Sequence, residues 1–412
     1  MSSFRARLAL VALLGLAVRL LAAWVNRDWP VIGDALTYHL EGGYLADGQG
    51  FRRAYEDLPT AEHPPGHIVV LALADLLGVD GTAGQKAFMG GVGTITVVLI
   101  GLLGRRVGGP RVGLIAAALA AVYPMLFLPD AALMSETTST LLFVVVALAA
   151  LGLRDRRSAR AAALLGAGIA LAALVRGEAL GLLVLLAAPL AWRAGAGDRR
   201  RSLVLVACAV VAFVVVLAPW TIRNATTFER PVLVSTNGDA VWVGANCPRT
   251  YYGELTGAWV FSCFGEAPPG DEAEQAVGWR ERGLTYAREN AERIPVVMAA
   301  RLGRLLDLYR PWDQGVFFAA SEGRKPTLQK LGLVAYWLIL PLAIAGFVLL
   351  RRRRDGDALM VLLAPVALVL LVGVVVYGST RFRTAAEPAL LIAAAVALDA
   401  AAHRARPAPR GT

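Results

Sequence analysis

Apolar and polar positions in this chain fall into long blocks instead of alternating. The stretch from Leu203 to Ala218 contains only aliphatic residues, one Phe and one Cys. A half-buried strand alternates with period two, and an amphipathic helix shows one apolar stripe. A run that is apolar on every side fits a helix surrounded by lipid. Blocks of this kind predict spans at 8–25, 84–104, 111–128, 133–153, 160–175, 177–192, 202–219, 331–350, 357–377 and 385–402. Most approach the roughly 20 residues that cross a hydrocarbon core. The pair from 160 to 192 is short and reads as a tilted hairpin. The run 66–79 is shorter still and reads as an interfacial helix.

Charge orients the spans. With 66–79 left out, one set of loops receives Arg5 and Arg7, Arg105, Arg106 and Arg111, Arg154 to Arg160, Arg193 to Arg201, Arg351 to Arg354, and Arg404, Arg406 and Arg410. The positive-inside rule places these loops and both termini in the cytoplasm. Counting 66–79 as a span would put Arg105 and Arg106 on the other side from Arg5 and Arg7. The amino terminus resembles a signal peptide but has no small-residue cleavage site before Trp24, so it reads as a retained first helix. Arg19 lies near the outer end of that helix and reads as a snorkelling side chain.

The expected fold is therefore all-α and polytopic, with about ten transmembrane helices and an interfacial helix in the first outer loop. A larger extracytoplasmic loop region covers 220–330. The chain divides into 1–219 with the outer loop 26–83, then 220–330, then 331–412 with its basic tail. Composition agrees: 57% of the 412 residues are hydrophobic and only 17% are charged, with mean hydropathy +0.57. A soluble domain is nearer a quarter charged. The net charge of +10 sits in arginine clusters between apolar blocks, a pattern of membrane orientation and not of nucleic-acid binding.

Carboxylates near a membrane are costly and need a reason. Asp34, Glu41, Glu62, Asp130, Glu136, Glu178 and Glu387 all fall at outer helix ends or in outer loops. Asp155, Asp198, Asp355 and Asp357 sit among arginines as ordinary loop partners. An Asp just beyond the first span suits a general base at the membrane surface. Ahead of Ala-Leu-Thr-Tyr it equally suits a helix cap. Glu136 follows Ser135, so it reads either as a site carboxylate or as the acidic first turn of a capped helix. Cationic candidates on the outer side are Lys86, Arg176, Arg223, Arg381 and Arg383, each also readable as a membrane anchor. Tyr38, Glu62, His63 and Glu178 are the candidate substrate contacts. His39, His63 and His67 share the loop with Asp34, but a Pro-Pro-Gly turn separates His63 from His67 and no metal site is predicted.

The ordered motifs resemble those of the GT-C class of membrane glycosyltransferases, in particular the bacterial protein O-mannosyltransferase-like and lipid-A aminoarabinose transferase-like families. They are Gly33-Asp34 with Tyr38, Gly48-Gln49-Gly50-Phe51, Pro64-Pro65-Gly66, Tyr123-Pro124, Ser135-Glu136-Thr137, Arg176-Gly177-Glu178, Pro219-Trp220-Thr221-Ile222-Arg223-Asn224, Gly244-Ala245-Asn246, Arg381-Phe382-Arg383 and Glu387-Pro388. The resemblance covers most of the chain and rests on their order. It implies a polyprenyl-phosphate sugar donor, transfer on the extracytoplasmic face and an Asp of the first outer loop, here Asp34, as catalytic base; Glu136, read from its own position, is the second catalytic candidate, to help with the proton, bind the acceptor or hold a basic partner. The acceptor would be a glycan, glycolipid or protein. One carboxylate suffices for an inverting displacement, since the leaving phosphate needs cations and not an acid. Lys86, Arg176, Arg381 and Arg383 would hold that phosphate. Some members of the class use a divalent ion and some do not; no cofactor is expected here. The rival readings are a transporter or lipid flippase, for which no repeat is evident, and a scaffold, which would leave the outer charges without a role.

Cys247 and Cys263 both fall in the 220–330 region, while Cys208 lies in a span. An extracytoplasmic compartment permits a disulfide between the first two. Such a loop is worth about 3 kcal/mol by chain entropy, and it would hold Tyr251, Tyr252 and Trp259 as an aromatic platform beside the membrane, suited to an acceptor sugar or to packing. Two free buried thiols are the other reading.

Overall fold

A computed structural model describes residues 3–315 and 323–404. The basic tail beyond Arg404, with Arg406 and Arg410, lies outside them. The described residues form helices and turns, with a single isolated β-bridge between Arg52 and Pro59. The chain is a polytopic helical membrane protein. Among the described residues seven helices are long and apolar enough to cross a membrane: Phe4–Val25, Gly81–Gly108, Glu136–Arg156, Gly177–Ala194, Arg199–Thr227, Pro326–Arg352 and Gly356–Val375. Pro110–Val122 and Pro124–Ala131, bent by 47°, make an eighth if taken as one span. Helices also occupy the two remaining candidate spans, Ala159–Ala173 and Glu387–Arg404. The first has 15 residues and the second carries Glu387, Asp399 and Arg404. Pro65–Leu76, with 12 residues, has the length of an interfacial helix.

Lipid offers no hydrophobic drive between helices, so small residues let backbones approach closely. Gly166 lies so near Ala209 that an added Cβ would stand 1.9 Å from its carbonyl oxygen, and Gly346 meets Ala393 in the same way at 1.8 Å. The arginine clusters collect at one end of the bundle. There Arg106 pairs with Asp155, Arg154 with Asp355, and Arg193 with Asp357. Asp198 caps the Arg199–Thr227 helix through Arg200 N and Arg201 N.

Arg19 does not snorkel. It is 1% exposed and pairs with Asp130 at 2.9 Å between the first helix and the bent pair. Its neighbouring backbone partners are the Ala120 and Ala121 carbonyls, freed where the Pro110–Val122 helix ends before Pro124. The bend therefore explains the buried cation.

The described part of the region 220–330 contains the helices Asn237–Ala245, Glu272–Glu289 and Ile294–Leu305. It is fastened to the first loop by Glu272, whose carboxylate accepts from Thr60 Oγ1, Ala61 N, Thr236 Oγ1 and Arg53. Cys247 and Cys263 form a disulfide with Cα atoms 6.2 Å apart.

Candidate active site

Asp34 opens the helix Asp34–Ala46. Gly33 precedes it with φ 58°, a conformation that costs glycine little. No side chain caps this helix, so Asp34 is not the cap that its motif allowed. Its Oδ2 instead accepts from Arg381 Nη1 at 2.8 Å, and its Oδ1 stands 3.8 Å from His63 Nε2. Tyr38 and Glu41 follow on the same helix face, and Tyr38 packs edge-on to His63 and His67.

The Pro-Pro-Gly turn has a clear task. Pro65 starts the Pro65–Leu76 helix, where a missing N–H is harmless. Gly66 N donates to Leu174 O at 2.6 Å, and a Cβ there would stand 2.8 Å from that oxygen. Only glycine allows this approach, which joins the first loop to the segment carrying Arg176.

Glu136 begins the helix Glu136–Arg156, whose Ser135 makes no side-chain cap. Its carboxylate is buried and gathers three guanidinium groups: Arg381 Nε at 2.5 Å, Arg176 Nη1 at 3.5 Å and Arg324 Nη2 at 3.8 Å. Arg176 also binds Glu178 at 2.5 Å. Arg381 thus bridges Asp34 and Glu136. His39 bonds Gln85, while His67 bonds Thr138 and the Leu133 carbonyl. Among the described residues no three His, Cys, Asp or Glu side chains converge as metal ligands.

Asp34 and Arg381 line a cavity of about 800 Å³, within the range of small-molecule sites. Glu62, Arg53, Thr37, Asn237 and Glu272 line it too, together with several aromatic residues. Of the candidate substrate contacts, only Glu62 reaches this cavity. Tyr38 donates to Ser135 Oγ, His63 is buried behind Asp34, and Glu178 holds Arg176. Lys86 and Arg383 lie elsewhere. Lys86 Nζ donates to the Asn26 and Trp29 carbonyls. Arg383 is enclosed by Asp307, Glu387 and the Tyr336 ring. Arg223 clamps the Thr60 and Phe51 carbonyls. Sequence reasoning missed Arg324, which just precedes the Pro326–Arg352 helix and looks there like any anchoring cation.

The electrostatics follow from this layout. Burial pushes the Asp34 carboxyl up, but Arg381 and His63 overcome it and hold it well below the usual range. Burial pushes His63 down, yet Asp34, Glu62 and Glu41 raise it to about 9. Glu41 is fully buried with neither oxygen hydrogen-bonded. Burial raises it to about 8, opposed by His63 and assisted by Glu62 and Glu272. Both raised groups favour their protonated forms in the folded state. The stability they contribute is complete below the ordinary values of 4.5 and 6.5, and is lost as pH rises through about 8 and about 9. The purified protein is thus expected to melt earlier as pH climbs from 6.5 to 9. Glu41→Gln should flatten that decline, leaving the variant roughly a few degrees more stable at the alkaline end. Melting curves recorded across this window decide it: parallel curves for both proteins would show that Glu41 does not titrate there.

No protein-family model and no curated protein matches the sequence. Solved structures do match the fold. The oligosaccharyltransferase of Archaeoglobus fulgidus in its apo form superposes with TM-score 0.57 at 15% identity, over 97% of this chain and 51% of that one. The archaeal oligosaccharyltransferase AglB from the same organism, in complex with an inhibitory peptide and a dolichol-phosphate, gives TM-score 0.51 at 14% identity, over 99% and 52%. ArnT from Cupriavidus metallidurans bound to undecaprenyl phosphate gives TM-score 0.43 at 18% identity, over 95% and 79%. The chain spans about half the length of the oligosaccharyltransferases it matches. What this chain shares with these oligosaccharyltransferases is the fold.

Proposed function

We propose that the chain is a membrane glycosyltransferase that moves a sugar from a polyprenyl-phosphate donor to an acceptor hydroxyl on the extracytoplasmic side. The observation that carries this reading is the pairing of Asp34 with Arg381 on the wall of one cavity, backed by Glu136 and Arg176. That a dolichol-phosphate occupies a neighbour with this fold supports the lipid-phosphate donor.

In the proposed reaction the acceptor oxygen attacks the anomeric carbon as its proton passes to Asp34. The new carbon–oxygen bond forms on one face while the bond to the phosphate oxygen breaks on the other, which inverts the centre. The phosphate departs with the bonding electrons as polyprenyl phosphate. Arg381, with Arg176 behind it, meets the charge that grows on that leaving group. Arg383 and Lys86 have no part in this scheme, because their charges are already used inside the fold.

The test is transfer itself. Proteoliposomes of the purified chain, supplied with a set of radiolabelled undecaprenyl-phosphate monosaccharides and a membrane extract, are expected to release undecaprenyl phosphate and label a product. No release from any donor of the set would refute the reading. The side of the membrane is tested separately. Ala267 is exposed in the 220–330 region, so Ala267→Cys is expected to react with an impermeant maleimide on intact cells. Reaction only after the cytoplasm is opened would reverse the topology.

A further inference from the structure

The cavity that holds Asp34 and Arg381 has two unlike walls. One is aromatic, with Trp259, Phe264, Trp279 and Tyr377. Phe264 lies 5.0 Å from Trp279 and 5.7 Å from Trp259, centroid to centroid, and Trp259 lies 6.3 Å from Tyr377. The Cys247–Cys263 disulfide closes the loop that carries Trp259 and ends immediately before Phe264. The other wall is polar. Asn237 N donates to the Glu62 carbonyl, which sets the two residues side by side on the cavity. Among the described residues neither the Glu62 carboxylate nor the Asn237 carboxamide has a hydrogen-bond partner in the protein. Glu272, on the same cavity, is by contrast fully engaged as the staple between the loops.

We propose that this part of the cavity binds a carbohydrate acceptor: a pyranose whose apolar C–H face rests on the aromatic wall and whose hydroxyls bond Glu62 and Asn237. A pyranose has both kinds of surface, one flat and apolar, the other a rim of donors and acceptors. A prenyl chain would satisfy the aromatic wall but leave the carboxylate and carboxamide desolvated without partners, which is unfavourable for both and most for the charged one. An extended peptide is recognised through main-chain hydrogen bonds along a strand edge, and the described residues contain no strand, only the isolated bridge between Arg52 and Pro59. The word acceptor rests on the reading of this cavity as the transfer site; the binding does not, and it is measured without any donor.

The experiment is titration calorimetry on the purified chain in lipid nanodiscs, with methyl glycosides of the common hexoses and their disaccharides as probes. At least one glycoside is expected to bind saturably in the millimolar range or tighter. Trp279→Ala and Asn237→Ala should each weaken it about tenfold, and Glu62→Gln should weaken it with less disturbance of shape. Melting curves of all three variants identify any that fail to fold, and affinities are compared among those that do fold. The same sugar carried on a short-chain glycolipid separates a free glycan from a glycolipid head group: equal affinity assigns recognition to the sugar alone, and tighter binding adds a lipid contact. Silence of every glycoside overturns the proposal. So does sugar binding untouched by all folded variants, or binding of a Ser/Thr-containing peptide or of undecaprenyl phosphate that is lost in the Trp279→Ala and Asn237→Ala proteins while sugars are inert. Sugar binding as expected, with no transfer from any donor, would sink the proposed reaction and leave this site standing.

Discussion

Asp34→Asn is expected to cut turnover by about 10²–10⁴-fold, the usual worth of a positioned general base, while leaving fold and donor binding in place. Asn keeps the shape of Asp and still offers Arg381 an oxygen, but it cannot take a proton at neutral pH. The side chain of Asp34 is 36% exposed to the cavity, so loss of its charge is softened by solvent. Arg381 also retains Glu136. Stability should therefore hardly move. Glu136→Gln makes the informative contrast. That carboxylate is 1% exposed, and its removal leaves Arg176, Arg324 and Arg381 facing one another. Removing one partner of a buried ion network costs about 3–5 kcal/mol, so this variant should melt markedly earlier. Measured side by side, a stable and inactive Asp34→Asn protein beside an unstable Glu136→Gln protein separates the base from the group that holds the cations. Turnover of Asp34→Asn within a few-fold of wild type would show that another group takes the proton.

The same pair of carboxylates shows what a sequence can and cannot tell. Helix positions were legible because a bilayer leaves backbone polar groups no partner but one another, so apolar blocks become helices. The arginine clusters were legible for a related reason, and they do meet at one end of the bundle through Asp155, Asp355 and Asp357. The helices of the region 220–330 were not, because they carry mixed charge or are too short to span and so leave no lipid signature. Side-chain direction was also out of reach. Arg381 and Arg383 stand two residues apart in the four-residue helix Thr380–Arg383, so they point apart: one reaches Asp34 and Glu136, the other Asp307 and Glu387. Glu62 and His63 are split in the same way, one on the cavity and one buried behind it. Arg324 escaped notice because a cation before a span is so common. The Cys247–Cys263 bridge was found from compartment and location alone.

The grip of Arg381 on Asp34 leads to a second large effect, an obligatory order of binding. A carboxylate held well below its usual range by a guanidinium is a weak base. In the proposed reaction the leaving phosphate competes with Asp34 for the Arg381 guanidinium. A donor phosphate that takes Arg381 Nη1 weakens the pull on Asp34 and raises its pKa toward the ordinary value. Donor binding then makes the base. The sign is definite: Asp34 must be ionised to act, so activity falls as pH drops through its pKa. That acid limb should lie at lower pH in kcat/KM for the donor, which reports the free enzyme, than in kcat, which reports the complex. Arg381→Ala is expected to cut kcat/KM for the donor by roughly 10²–10³-fold and to bring the two limbs together. Arg381→Lys keeps a charge beside Glu136 and so guards against simple misfolding; it should retain the melting temperature better than Ala, yet still lose roughly tenfold or more, because a point charge cannot span Asp34 and Glu136 as the guanidinium does. Coincident acid limbs in the wild type would show that Arg381 never leaves Asp34, and donor kinetics unchanged in both variants would remove it from the phosphate site.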